Sequence, residues 1–319
     1  MYKYLLDFIL FYANIQEFIK VSLMKKVVII LSSLFFGIML GITRMLIIGN
    51  FGDAESGFFK SEYSYLGYVM MGIVLCFVIA YFIISRTTKD YPIAPRKGSK
   101  LIAIFSLYLG IICFVNFFGN FDRIASKVDR KQNLVIMVLL FVAAIYFILL
   151  AFSQLHVFRL SSKYAILPLF YFIAKLAVDF IHSFSLSRSQ QIVAEIFCGV
   201  FLVIYFLVFS RYLAKSKFKK MRKHFYALSL INAVLLIAYG LSDLLTIAFY
   251  SDFAKARELN GLDSLLIFSI GIFVFMFLCA SFMPKKIYSD YAYAGYDNTK
   301  TEINEQVEWD SLEEAEEEK

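Results

Sequence analysis

The chain has 319 residues, is 60% apolar and only 18% charged, and carries a formal net charge of +7 with a mean hydropathy of +0.70. Soluble domains average roughly 45–50% apolar and about 25% charged residues. A soluble enzyme, a disulfide-stapled secreted domain and a disordered chain are therefore excluded, which leaves an all-α polytopic membrane protein.

Residues 1–26 precede the first long apolar run and carry Lys3, Lys20, Lys25 and Lys26. Two readings compete for them. One is an interfacial helix with Leu5, Leu6, Phe8, Ile9 and Phe11 in lipid. The other is a misplaced start, with Met24, directly before Lys25-Lys26 and Val27-Val28-Ile29-Ile30, as the candidate initiator.

Eight runs then qualify as transmembrane helices, at approximately 27–48, 65–85, 101–119, 134–154, 164–183, 192–210, 225–249 and 262–283. Their lengths match a bilayer core roughly 30 Å thick at about 1.5 Å per helical residue. They are apolar on every face, as lipid-embedded helices must be, and lack the short alternating pattern of membrane strands. In the first, Gly37 and Gly41 form a GxxxG that permits close packing, inside the bundle or between copies. The stretches 78–86 and 203–211 resemble one another and suggest a 4+4 parallel repeat. Residues 27–283 thus form an eight-helix domain, and residues 284–319 an acidic tail whose like-charge block from Glu313 to Glu318 is expected to be disordered.

Orientation follows from Lys and Arg in the loops. The two ends and the even-numbered connections hold 22, and the alternate connections hold 8, with Arg44 and Lys175 inside helices. Both termini are therefore expected in the cytoplasm, although Arg123, Lys127, Arg130 and Lys131 dissent from the outer side. The basic cytoplasmic rim suits anionic phospholipids. Nucleic acid is not expected as a partner, because the seven bases between Arg211 and Lys223 are explained by orientation.

Chemistry-bearing motifs are scarce. Cys76, Cys113, Cys198 and Cys279 all lie in spans and form no C-x-x-C; no zinc-protease, phosphate-loop or serine-hydrolase signature occurs, and no cofactor or metal site is expected. Ionisable groups inside spans are the informative class, because each costs roughly 2.5–3.5 kcal/mol at mid-helix on insertion scales. Arg44, Lys175, Asp179, His182, Glu195 and Asp243, with Asn116, all fall at mid-membrane or in its outer half. Lys175 and Asp179 share a face at i, i+4. Arg44 with Asp179, and Lys175 with Glu195 or Asp243, are alternative pairs across the bundle. Two bases and three acids leave one negative charge in excess. These residues read either as interhelical salt bridges or as an outward polar pocket. A catalytic pair of Asp179 and Asp243 lacks the flanking sequences of intramembrane aspartyl proteases.

Arg44 followed by Phe51-Gly52-Asp53-Ala54-Glu55-Ser56-Gly57-Phe58 resembles a motif of uncharacterised multipass membrane proteins of Clostridia-like Gram-positive bacteria, with Gly52 as an insertion relative to it. Pro168, Lys175, Asp179-Phe180, Ser187 and Glu195 are similar to the middle region of that group. The resemblance implies a bacterial cytoplasmic membrane and no particular activity. Small-molecule sensing or transport through the polar pocket is the expected role. A scaffold or accessory subunit with a membrane-protein partner is the alternative.

Overall fold

The computed structural model describes residues 2–56, 58–63, 65–87, 99–125, 130–155, 157, 160–185, 190–214, 219–257 and 259–282. The side chains of residues 2–26 and of several helix ends, His182 included, lie outside this description. So do the tail from 283 onward and the dissenting bases of the 120–133 connection.

Among the described residues, nine α-helices follow in order: α1 (Tyr2–Phe51), α2 (Tyr65–Thr87), α3 (Lys100–Ala125), α4 (Arg130–Gln154), α5 (Leu167–Ser185), α6 (Gln190–Ala214), α7 (Lys219–Phe249), α8 (Ser251–Ala256) and α9 (Gly261–Phe282). All but α8 are long and apolar enough to cross a bilayer. The chain is a multi-pass membrane protein. Among the described residues, strand pairing is confined to a minimal antiparallel hairpin of β1 (Gly52–Asp53) and β2 (Phe58–Phe59).

Several boundaries depart from the periodicity. Residues 2–26 continue the first span as one unbroken helix, about 75 Å long at 1.5 Å per residue. Helix α7 starts six residues before its apolar run, absorbing part of the basic connection. Helix α8 has no counterpart among the runs, since six residues are too few to register in a span-length window. Pro168 falls in the first turn of α5, where its missing N–H removes no intrahelical bond.

Helix α7 is the packing centre. Of its span, 78% is buried, against 22% for α2. It is flanked by α1, α2, α6 and α9, while α3, α4 and α5 form an arc that closes from α9 back to α6. Lipid tails are as apolar as the side chains, so helix association here depends on close approach rather than on a hydrophobic drive. Glycines provide that approach. A Cβ on Gly41 would lie 3.0 Å from the Ala238 carbonyl oxygen, and one on Gly37 3.1 Å from Ile237 Cβ. The GxxxG of α1 is thus used inside the chain, against α7. On the opposite flank, a Cβ at Gly240 would lie 2.5 Å from the Phe268 amide nitrogen, and one at Gly271 2.9 Å from that of Ile237.

Where α7 does not reach, aromatic rings fill the interior between α4, α5, α6 and α9. Phe172 stacks on Phe206 at 4.5 Å, and Phe147 meets Phe273 edge-on at 5.4 Å. Tyr212 lies flat on Phe225 at 3.9 Å, pinning α6 to α7. Such ring pairs add about 0.5–1.5 kcal/mol each beyond their burial.

The glycine contacts generate a prediction. Gly240→Ala forces two backbones apart, and overpacking of this kind costs about 1–3 kcal/mol. Gly72→Ala, on α2 with no atom within 4 Å of the added methyl, is neutral. Thermal unfolding of the detergent-purified variants separates them, and equal melting points would contradict the packing described.

Candidate functional site

Alternation of helix direction brings the C-terminal ends of α1, α3, α5 and α7 together with the N-terminal ends of α6 and α9. The ionisable groups of the spans gather there. Arg44 is the hub. Its Nη1 donates to Asp243 Oδ1 at 2.8 Å and its Nη2 to Glu195 Oε1 at 3.5 Å, while the guanidinium carbon sits 4.3 Å above the Tyr239 ring. The Arg44 and Asp243 side chains are each only 10% exposed. Arg257 donates to the same Glu195 oxygen from the other side. Asp243, Arg44, Glu195 and Arg257 therefore form one chain of alternating charge across α1, α6, α7 and the segment after α8.

Arg257 reaches this chain because α8 folds back onto the bundle, burying Phe253 and Ala254. Tyr250 and Phe253 pack where side chains on Gly49 and Gly52 would otherwise stand, at the end of α1. Two glycines thus make the seat, and the seat delivers the arginine. Sequence reasoning missed Arg257 because it lies in a connection. The legible signal was the apolar Phe253-Ala254 pair in an otherwise polar loop.

The second part of the site lies on α3, α5 and α9. Lys175 Nζ is 3.6 Å from Asp179 Oδ2, and the Asp179 side chain is 52% exposed. Asp263, in the first turn of α9 where a helix favours negative charge, accepts from Asn116 Nδ2 at 3.0 Å and Asn120 Nδ2 at 3.5 Å. Asn120 also donates to Asn116 Oδ1, and Asn260 donates to Asn120 Oδ1 at 2.8 Å. Lys175 lies within the electrostatic reach of both Asp263 and Asp179, and Asp179 within that of Glu195.

Of the cross-bundle pairs considered from sequence, none forms. Lys175 keeps its neighbour on α5 despite the less favourable order of charges, and Arg44 turns to α7 and α6 instead of α5. Asp179 and Asp243 each face their own base, so they do not constitute an acid pair. His182 lies in the last turns of α5, with its side chain outside the described residues. With Arg257 and Asp263 added, the site holds three bases and four acids among the described residues, again one negative charge in excess. Among the described residues, no three His, Cys, Asp or Glu converge to hold a metal ion.

In the Phe51–Phe58 segment, Ala54 to Ser56 form a turn that follows β1. Asp53 Oδ2 accepts from the Ser56 hydroxyl at 2.7 Å, its Oδ1 accepts from the Glu55 amide at 3.2 Å, and the Lys60 amide donates to the Phe51 carbonyl at 3.1 Å. An Asp with a Ser three residues on folds a hairpin by side-chain-to-backbone bonding. The Ser56 hydroxyl first, then the Glu55 amide, hold the Asp53 carboxyl below its usual value. A lowered folded-state value means that this stabilisation is present above the unfolded carboxylate range, near pH 4, and is lost as pH falls through the lowered value. The turn is therefore expected to resist protease at neutral and mildly acidic pH, and Asp53→Ala to be cut at pH 7.

For the ion chain, Arg44→Met strands the buried Asp243 carboxylate, a defect of about 3–5 kcal/mol, while Glu195 keeps Arg257. Combining it with Asp243→Leu recovers part of that loss, whereas Asp179→Asn, at a half-exposed pair, costs under about 1 kcal/mol. Melting points of the three variants check the order.

No protein-family model, curated protein or solved structure matches the chain.

Proposed function

We propose that the chain is a non-enzymatic binder of a small polar molecule, sensed or transported at the outer face of a bacterial cytoplasmic membrane, with both termini cytoplasmic. One observation carries this reading. Seven ionisable side chains from five spans and the α8–α9 connection converge at one end of the bundle, and burial is graded across them. Arg44, Asp243 and Arg257 are buried, whereas the Glu195 and Asp179 carboxylates remain 41% and 52% exposed. Charges that only lock helices together gain nothing from exposure, since water screens them. A rigid buried base beneath accessible carboxylates is the arrangement expected of a site that must hold its shape and still be reached. The excess negative charge favours a cationic or zwitterionic ligand. The 22-to-8 distribution of Lys and Arg supports the outer side for this end.

A scaffold with a membrane-protein partner is the second reading, favoured by the pairing of each of Arg44, Lys175 and Arg257 with an acid. Cysteine accessibility separates the two. Single cysteines replace Asp179 and Glu195 in a background without the four native cysteines, and intact cells are treated with a membrane-impermeant thiol reagent. Labelling at both, faster at 179, is expected. Protection in the folded protein with labelling after denaturation would replace the binder by the scaffold.

A further inference from the structure

Two hydroxyls at the charged end stand outside the hydrogen-bonding scheme. Buried hydroxyls in the spans commonly donate to a carbonyl three or four residues back, as Ser33 does to Ile30, Ser229 to Phe225, Ser269 to Leu265 and Ser281 to Phe277, all at 2.7–2.8 Å. Ser242 and Thr246 are wholly buried, yet neither hydroxyl makes such a bond or finds another protein partner. An unpaired polar group is costly in any interior and more so inside a bilayer, and in native structures it points to an ordered water or ion.

Their position narrows the choice. Tyr239, Ser242, Asp243 and Thr246 follow the i, i+3, i+4, i+7 pattern and so share one face of α7. Arg44 lies along that face, stacked on Tyr239 and bonded to Asp243 Oδ1. Asp243 Oδ2 takes no hydrogen bond from the described residues. One carboxylate oxygen and two buried hydroxyl oxygens without partners among the described residues therefore lie along one face of α7, and all three are hard donors of the kind that hard cations take.

We propose that Asp243 Oδ2, Ser242 Oγ and Thr246 Oγ1 hold a monovalent alkali cation, with water completing its shell. The charge of the site supports one positive charge and not two. Three bases and four acids leave a single negative charge, and a divalent ion would meet only one carboxylate oxygen here. An anion is disfavoured because both nearby guanidiniums are already committed to Asp243 and Glu195. Arg44 occupies Oδ1 and shares its charge with Glu195, so the cation approaches from the other oxygen. This site does not depend on the binding of a small molecule at the accessible carboxylates.

The test uses the full chain in detergent, with NaCl exchanged for N-methyl-D-glucamine chloride at constant ionic strength, and KCl as a parallel series. The melting temperature of the unsubstituted protein is expected to rise saturably with the alkali cation, by linkage of binding to folding. Loss of even an outer partner of a bound metal weakens it by roughly 10–100-fold. Thr246→Val, close in shape to the native residue, should therefore need at least about tenfold more cation for the same shift, and Ser242→Ala with Thr246→Val should abolish it. Identical melting temperatures in the alkali and N-methyl-D-glucamine salts would mean that water alone satisfies the hydroxyls, and would overturn the proposal. A full shift retained by Thr246→Val would equally overturn it. Should the double variant not fold, Asp243→Asn gives a further reading, with loss of the shift expected and its retention fatal to the site.

Discussion

A guanidinium within a membrane span must find its counter-charge inside the protein, because the hydrocarbon offers none. Arg44 costs roughly 2.5–3.5 kcal/mol to insert on translocon scales and more if stranded. That cost is met by Asp243 on α7, by Glu195 on α6 and by the Tyr239 ring. Meeting it constrains three helices at once. Helix α1 must present one face to α7, α7 must rotate Tyr239 and Asp243 toward that face, and the first turn of the α6 span must arrive at the same depth. Gly37 and Gly41 permit this by letting α1 settle on the α7 backbone, and Gly240 and Gly271 do the same for α9 on the other flank. The ion chain sets rotation and depth, while the glycines set distance.

This division explains why α7, the most polar of the buried spans, is also the most enclosed. It carries Ser229, Asn232, Ser242, Asp243 and Thr246, all of them buried. Asn232 donates to Phe201 of α6 and to Leu228 on its own helix, so α7 also holds α6 by a hydrogen bond near mid-membrane. A polar helix is stable in a bilayer only when neighbours surround it, and α1, α2, α6 and α9 do so. The outer arc of α3, α4 and α5 packs largely through aromatic rings, with Tyr108 Oη bonded to Ser269 Oγ at 2.9 Å within the spans, and at the charged end Asn116, Asn120 and Lys175 join the network.

Much of the architecture was legible in the amino-acid sequence because the bilayer reduces the problem to length and hydropathy. Eight runs correspond to eight spanning helices, since an exposed peptide group in hydrocarbon is too costly to allow other solutions. The gathering of Arg44, Asp243 and Glu195 at one depth was legible for a similar reason, as helices of known direction convert residue number into height. Partner choice was not legible, because it depends on rotation about each helix axis, and rotation is fixed by backbone contacts such as Gly41 against Ala238 that leave no mark in a hydropathy profile. Arg257 and Asp263 escaped for another reason. Both stand just beyond or just inside a span boundary, where a charge is unremarkable, and only the return of α8 over Gly49 and Gly52 turns that connection inward.

The two parts of the charged end differ in what they can exchange with their surroundings. Arg44 is held by Asp243 and Tyr239 of α7 and by Glu195 of α6, so displacing it strands the Asp243 charge. Among the described residues Asp179 is held by Lys175 from its own helix alone, and Asp263, whose hydrogen-bond partners are neutral amides, also acts on Lys175 at longer range. A positive group arriving at Asp179 would therefore compete with one lysine, not with a lattice of arginines, and Lys175 would still have Asp263 to turn to. The same arrival at Asp243 Oδ1 would have to displace Arg44. Under the proposed binding role, exchange of a small polar ligand would belong to the α5 side of the site, and the standing ion pairs to the α7 side, a separation that follows from which residues are paired within one helix and which are paired across several.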